Sequence, residues 1–321
     1  MNNLAPEPTF KSHALPFTDR LSRWPWWALA IAMLAVLIAW GMLTNAKYNE
    51  ILGFISKGIG TTLFVTVIAY TFAIFLGLLI GLGRTSSNPV IYHVCTFYVE
   101  IIRGLPTLVL LLYIAFSIFP LTITWLNQIG DGILSGVNAS ARVPFHLNAG
   151  TDFSEWIFTS TFVGDFGRWF GSFRLRDVDN TVRVVIALTI AYSAFLAEIF
   201  RGGIQSIERG QTEAGLALGM TGWQVMWHIV LRQAFRRVLP PLGNDFIAML
   251  KDSSLVSALG VLDITRLGVN YQARTFLTIE TYSVVAYLYL IMTLLLSLVV
   301  KGIERYVSRE NDRPSQRPLD K

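Results

Sequence analysis

Runs of apolar residues long enough to cross a lipid bilayer constrain this chain more than any other feature. A span needs about 20 mostly apolar residues. In hydrocarbon every backbone polar group must be satisfied within the structure, so such a run folds as a helix unless it closes a barrel. Six segments reach or approach that length: roughly Trp26–Leu43, Ile59–Leu82, Val94–Phe119, Val182–Phe200, Pro241–Leu262 and Tyr282–Val300. Composition agrees, with 53% hydrophobic and 15% charged residues among 321, a membrane balance. The expected fold class is an all-α integral membrane protein with about six transmembrane helices. Its first partner is the lipid bilayer. The net charge of +5 does not point to nucleic acid, because the basic residues sit beside apolar runs rather than in one patch. Cys95 is the single cysteine, which excludes an intramolecular disulfide.

Residues 1–25 form a polar tail containing prolines. The apolar run after it is too long for a signal-peptide core and has no evident small-residue cleavage site, so 26–44 reads as a retained span. Lys and Arg near the span ends set the orientation. With six spans, Arg20, Arg23, Arg84, Arg201, Arg209, Arg232, Arg236, Arg237, Lys301, Arg305, Arg309, Arg313, Arg317 and Lys321 all fall on one side. That side is the cytoplasm, with both termini inside. Residues 120–181, which hold six acidic residues and four arginines, then face out, as do 45–58 and 263–281. The outer segment is far longer than ordinary connections, and its mix of aromatic, glycine and acidic residues predicts a small ordered cap over 121–180.

Small residues mark where helices meet. The second run carries Ala69, Ala73, Gly77 and Gly81 at four-residue spacing, a stripe that lets backbones approach closely. The fourth carries Ala187, Ala191 and Ala194 on one face, followed by Glu198 and then Arg201. That face is expected to have room for a ligand or a second helix. The fifth run holds Asn244, Asp245, Lys251 and Asp252. One charge at a helix centre costs about 2.5–3.5 kcal/mol on insertion scales, so this run reads as an inner helix, with Pro240 and Pro241 near its start. Glu100 with Arg103, and Glu198 with Arg201, are each three residues apart and read either as intrahelical ion pairs or as pathway or gate contacts. Lys251 and Asp252 read first as structural.

Between the fourth and fifth runs lies "TEAGLALGMTGWQ". Glu213, Ala214, Leu216, Ala217 and Leu218 favour helix. Gly219 stands where a helix ends in a left-handed residue, and Thr221 with Gln224 three residues on forms a capping box for a second helix. A helix–turn–helix held on the cytoplasmic side either lies on the membrane or docks to a partner.

"EAGLALG" followed by Ile229, Val230 and Leu231 resembles the EAA loop of ABC importer permeases, whose pattern is roughly E-A-A-x-x-x-G, nine residues, then I-x-L-P. Gly215 stands in place of the second alanine and Arg232 in place of the proline. The blocks "YVEIIRGLPTLVLLLY" (98–113), "AYSAFLAEIFRGGIQSIERGQTEAG" (191–215) and "RRVLPPLGNDFIAMLKDSSLVSALGV" (236–261) resemble the polar amino-acid permeases of the histidine/glutamine type. The resemblance runs from about Gly60 to Arg305. It implies the type I ABC importer permease fold: a five-helix core over 59–305, an extra N-terminal helix at 26–44, a cytoplasmic coupling loop at 206–232, an outward insertion at 120–181 and a cytoplasmic tail at 306–321. It further implies a bacterial cytoplasmic (inner) membrane protein that works with two ABC ATPase subunits, a second permease subunit, identical or related, and a periplasmic or extracellular amino-acid-binding protein. ATP and Mg2+ are expected on the ATPase, with no cofactor or metal on this chain. The ATPase-coupling residues would be Glu213, Ala214, Gly215, Gly219 and Thr221. The substrate-pathway candidates are Glu100, Arg103, Tyr192, Glu198, Asn244, Asp245 and Lys251.

Catalysis by the chain itself finds no support in its motifs. The nearest approach to a P-loop, Gly53 to Gly58, continues Ile59-Gly60 where Lys-Ser/Thr is required. His13, His93, His146 and His228 are dispersed, and neither H-E-x-x-H nor G-x-S-x-G occurs. A channel or a secondary transporter for small polar solutes is the alternative class. No selectivity-filter pattern supports the first, and no inverted repeat is visible to support the second.

Overall fold

Helices account for nearly all of the computed structural model, which describes residues 26–141 and 178–309. The tail 1–25, residues 310–321 and most of the cap expected over 121–180 lie outside the described residues. The chain divides into two units, residues 1–52 and 53–321. In the first, α1 (Trp26–Thr44) buries Ala35 and Met42 and exposes Met33, Val36 and Trp40. Residues expected as an outer loop at 45–58 instead form α2 (Ala46–Ile55). Asn45 starts it by accepting from the Lys47 N–H at 3.1 Å, and no proline interrupts it.

In the second unit, α3 (Gly58–Gly83) and α7 (Asn180–Gln205) form the central pair. The stripe on α3 faces α7. A Cβ on Gly77 would stand 2.8 Å from Leu196 Cβ and 3.0 Å from the Ser193 carbonyl oxygen, and one on Gly81 would stand 2.9 Å from Phe200 Cβ. Hydroxyls in these helices turn back onto their own backbones. Thr66 donates to the Thr62 carbonyl at 2.7 Å, and Thr189 to that of Val185 at 2.7 Å, which leaves them satisfied in an apolar setting. Asp179 caps α7 by accepting from the Thr181 N–H at 2.6 Å. Hydrogen bonding from the Thr181 side chain and backbone holds its carboxyl below the ordinary value.

The third apolar run is not one helix. The segment α4 (Pro89–Gly104) starts at an Asn88 cap and ends at Leu105, which is extended at φ −98° and ψ 142°. Pro106 causes the break, because the residue before a proline is pushed out of the helical region. The chain resumes as α5 (Thr107–Tyr113), a π-helical turn at Ile114–Ile118, and α6 (Phe119–Ala141). Pro120 has no N–H to give the preceding turn, and the widened turn directly before it accommodates that loss. The apolar span is therefore Thr107–Ile133 rather than Val94–Phe119. The insertion expected to begin at 120 is helical as far as Ala141.

After α7 come α8 (Arg209–Ala217) and α9 (Gly222–Val225). A π-helical turn at Met226–Val230 leads from α9 directly into α10 (Leu231–Asp252). The fifth run thus does not start at Pro241, and no break falls at 232. The helix passes through Pro240 and Pro241, whose missing N–H groups free the carbonyls of Arg236 and Arg237. Both arginines are exposed rather than packed in the core, and Arg237 Nη1 donates to the Ser206 carbonyl. A 3-10 turn at Ser253–Leu259 closes at Gly260, and α11 (Ile264–Thr275), capped by Asp263, occupies the loop expected at 263–281. The last helix is α12 (Thr278–Arg309).

Four stretches among the described residues are long and apolar enough to cross a membrane: Ala46–Gly83, Thr107–Ile133, Asn180–Gln205 and Thr278–Tyr306. Met33–Thr44 is a shorter apolar helix. The arginines in the first half of α10 keep it out of this set, although it packs between α7 and α12. One core unites α3, α4, α5, α7, α10 and the 3-10 turn, with Ala73, Leu111, Leu188, Leu196 and Met249 fully buried.

Candidate functional site

Glu198 lies near the end of α7 and meets three guanidinium groups. It accepts hydrogen bonds from Arg84 and from Arg201, the latter through Nε at 3.2 Å and also through Nη2, while Arg103 Nη1 stands 4.0 Å away. Arg84 directly follows α3, Arg103 belongs to α4 and Arg201 to α7, so the cluster ties three helix ends together. The Arg84 side chain is 9% exposed and that of Glu198 29%. Arg201 also donates to Gln205 Oε1 at 2.6 Å, and Arg103 lies over the Phe195 ring at 5.7 Å.

This differs from the sequence reading in three ways. Glu198 and Arg201 do pair, but Glu100 and Arg103 do not pair with each other. Glu100 is exposed and 3.9 Å from Arg84, while Arg103 turns to Glu198. The room expected beside Glu198 is filled, since Ala187, Ala191 and Ala194 are fully buried in the core. Arg84, read only as a topological charge, is the buried partner. It continues the Ala69–Ala73–Gly77–Gly81 face three residues beyond Gly81, and that spacing is the signal that points to it.

A second polar group sits inside the bundle. Tyr192 donates to Asp252 Oδ2 at 2.7 Å, and Tyr70 donates to the Leu242 carbonyl at 2.5 Å while its ring stacks obliquely on Phe246 at 4.8 Å. Asp245 is an electrostatic neighbour of both tyrosines, and its Oδ2 is buried without a partner among the described residues. Asn244 and Lys251 on the same helix are exposed. Asp252, read as structural, bonds to a neighbouring helix through Tyr192.

The turn between α8 and α9 is built from backbone upward. Gly219 has φ +82°, a left-handed conformation that an L side chain rarely adopts. Its N–H donates to the Leu216 carbonyl at 2.9 Å, and the Met220 N–H to that of Gly215 at 3.2 Å. This is a Schellman closure. Thr221 then opens the next helix with a reciprocal box: Gln224 N–H to Thr221 Oγ1 at 3.3 Å, and Thr221 N–H to Gln224 Oε1 at 2.8 Å. Gly215 does more than weaken α8. It is buried, and a Cβ there would stand 2.8 Å from Ile229 Cδ1 and 2.9 Å from Val225 Cγ2, so its bareness lets the two helices close. Glu213, Ala214, Gly219 and Thr221 are exposed. So are Leu218, at 83%, and Trp223, at 70%. Among the described residues no group of three or more His, Cys, Asp or Glu is placed to hold a metal ion.

Residues 73–313 match the family of binding-protein-dependent transport system inner membrane components. The chain belongs to that family. The matched residues include the helix-end cluster, Tyr192, Asp245 and Asp252 of the polar group, and the turn, whereas Tyr70, α1 and α2 lie outside them. The glutamine transport system permease protein GlnP of Escherichia coli (strain K12) is 32% identical over 249 residues, covering 78% of this chain and 90% of that protein. The L-cystine transport system permease protein TcyB of Bacillus subtilis (strain 168) is 30% identical over 277 residues, covering 86% and 94%. Among solved structures, the crystal structure of an amino acid ABC transporter with histidines aligns with a TM-score of 0.59 at 31% identity, over 83% of this chain and 98% of that one. The MetNI methionine ABC transporter in an inward-facing form shares the fold at a TM-score of 0.54 and 18% identity. The fold is that of a type I ABC importer permease, and the chain is a multi-pass inner-membrane component.

Proposed function

We propose that this chain forms part of the path by which an amino acid, delivered by an external binding protein, crosses the bacterial cytoplasmic membrane. The relatives named as glutamine and L-cystine transport permeases support that substrate class. Two separate ATPase subunits, which carry ATP and Mg2+, seat on the turn around Gly219 within the segment 206–232, and a second permease, identical or related, completes the pathway. Both termini are cytoplasmic. The observation that carries the coupling reading is the turn itself. Backbone bonds on both sides of Gly219 fix its shape, and it holds Leu218 and Trp223 exposed rather than in the core. A rigid element presenting apolar side chains suits the transfer of force to a partner. Glu198, with Arg84, Arg103 and Arg201, is the inner gate or the last contact of the moving substrate. Tyr192 and Asp245 line the route above it, while Glu100, Asn244 and Lys251 are exposed candidates at its margins.

Gly219→Val tests the coupling reading. Left-handed backbone costs an ordinary residue about 1–2 kcal/mol and a β-branched one more, so the turn shifts to another shape while the spans are untouched. Membrane insertion stays near normal, and the amount of ATPase co-purifying with the chain falls about tenfold or more. Normal ATPase retention and normal transport in this variant overturn the coupling role.

A further inference from the structure

We propose that a groove on the cytoplasmic side of α3, α7 and α10 binds an anionic phospholipid, with Arg232 taking the headgroup phosphate and the apolar walls taking part of an acyl chain. The groove has a volume of about 280 Å³, and Ile74, Leu78, Phe200, Trp227 and Phe235 supply much of its wall, with Arg232 its one charged lining residue. Its position argues for lipid. Leu78 and Ile74 stand five and nine residues before the end of α3 at Gly83, so the groove reaches about 8–14 Å along the axis of a membrane-spanning helix. That depth runs from the headgroup level into the inner leaflet.

Charge and size narrow the occupant further. Arg232 is exposed and makes no ion pair or hydrogen bond among the described residues. It lies on the basic side of the chain, where anionic lipids attract guanidinium groups. A guanidinium binds phosphate through paired N–H donors. Trp227 lines the groove and stacks on Trp223 with centroids 5.9 Å apart and planes 17° apart. Trp227, one helical turn nearer α10 than Trp223, suits a membrane interface. A helix from another subunit is about 10 Å across, and a groove of 280 Å³ holds less than one turn of it. Arg232 is also one of the two departures from the EAA pattern, since a proline is usual there. The site would bring a lipid headgroup against the helix that continues from the coupling turn.

The test is native mass spectrometry of the full chain, purified with the subunits that accompany it, after exchange into phosphatidylglycerol or phosphatidylcholine. The unmutated chain retains phosphatidylglycerol about five-fold over phosphatidylcholine, and Arg232→Gln removes that preference, while Arg232→Lys keeps only the part that charge alone supplies. A photo-crosslinking residue at Phe235 in the otherwise unmutated complex labels lipid, a readout that survives even if Arg232→Gln fails to fold. Equal retention of the two lipids by the unmutated chain overturns the proposal. So does unchanged phosphatidylglycerol retention in Arg232→Gln, or a crosslink from position 235 to a second copy of this chain or to another subunit.

Discussion

Gly77→Leu is expected to prevent the chain from reaching a stable fold in the membrane. The added Cβ meets Leu196 Cβ at 2.8 Å, and beside it lie the Ser193 carbonyl oxygen at 3.0 Å and the Ala197 nitrogen at 3.2 Å. Two of these three are backbone atoms of α7, which cannot rotate away, so relief requires the central helices to separate. Overpacking a core costs about 1–3 kcal/mol and more where backbone must move. Here the separation also loosens Ala69 and Ala73, which are fully buried. Lipid offers no compensating hydrophobic drive, since helix association in a bilayer rests on close packing. Gly60→Leu is the control: it lies on the same helix, and a Cβ there meets nothing within 4 Å. The measurement is the yield of monodisperse detergent-extracted protein and its melting temperature. Gly60→Leu stays close to the unmutated chain, while Gly77→Leu loses most of the yield. Equal behaviour of the two variants would falsify the close-packing account of the stripe.

The legible parts of the fold were those that depend on neighbours in sequence. Apolar run length marks the membrane character, the four-residue stripe marks the face of α3, and the Thr221–Gln224 box and Gly219 mark the turn. The break at Leu105–Pro106 was also legible from the pre-proline restriction, but run length alone masked it. Continuity of α10 through Pro240 and Pro241 was not, because whether a proline ends a helix depends on whether the freed carbonyls find water. The helical stretches 46–55 and 264–275 were hidden for a related reason: they are too polar or too short to read as spans. At the candidate site, the Glu198–Arg201 pair is local and readable. The partnership of Glu198 with Arg84 spans 114 positions, and that of Tyr192 with Asp252 spans 60. Contacts of that kind exist only once helices have packed. The same holds for Gly215, whose use appears only when Val225 and Ile229 lie against it.

Glu198→Gln is expected to cut transport by at least tenfold while ATPase subunits still co-purify. The amide keeps the shape and removes the charge. It leaves Arg84, Arg103 and Arg201 facing one another around a neutral side chain, with Arg84 almost fully buried. Breaking a buried pair costs about 3–5 kcal/mol, and the partial exposure of Glu198 reduces that to about 1–3 kcal/mol, enough to reset a gate without unfolding the bundle. A double-mutant cycle with Arg84→Gln separates the two roles given to Glu198. If the cluster is a gate held by opposite charges, removing both partners relieves the stranded arginine, and the double variant transports better than Glu198→Gln alone. If the carboxylate instead meets the α-ammonium group of the moving amino acid, the double variant is no better than Glu198→Gln alone, and uptake of neutral and basic substrates falls alike, since both carry that group. Normal transport by Glu198→Gln removes both electrostatic roles. Loss of ATPase co-purification in that variant assigns the cluster to holding the ends of α3, α4 and α7 together and to nothing further.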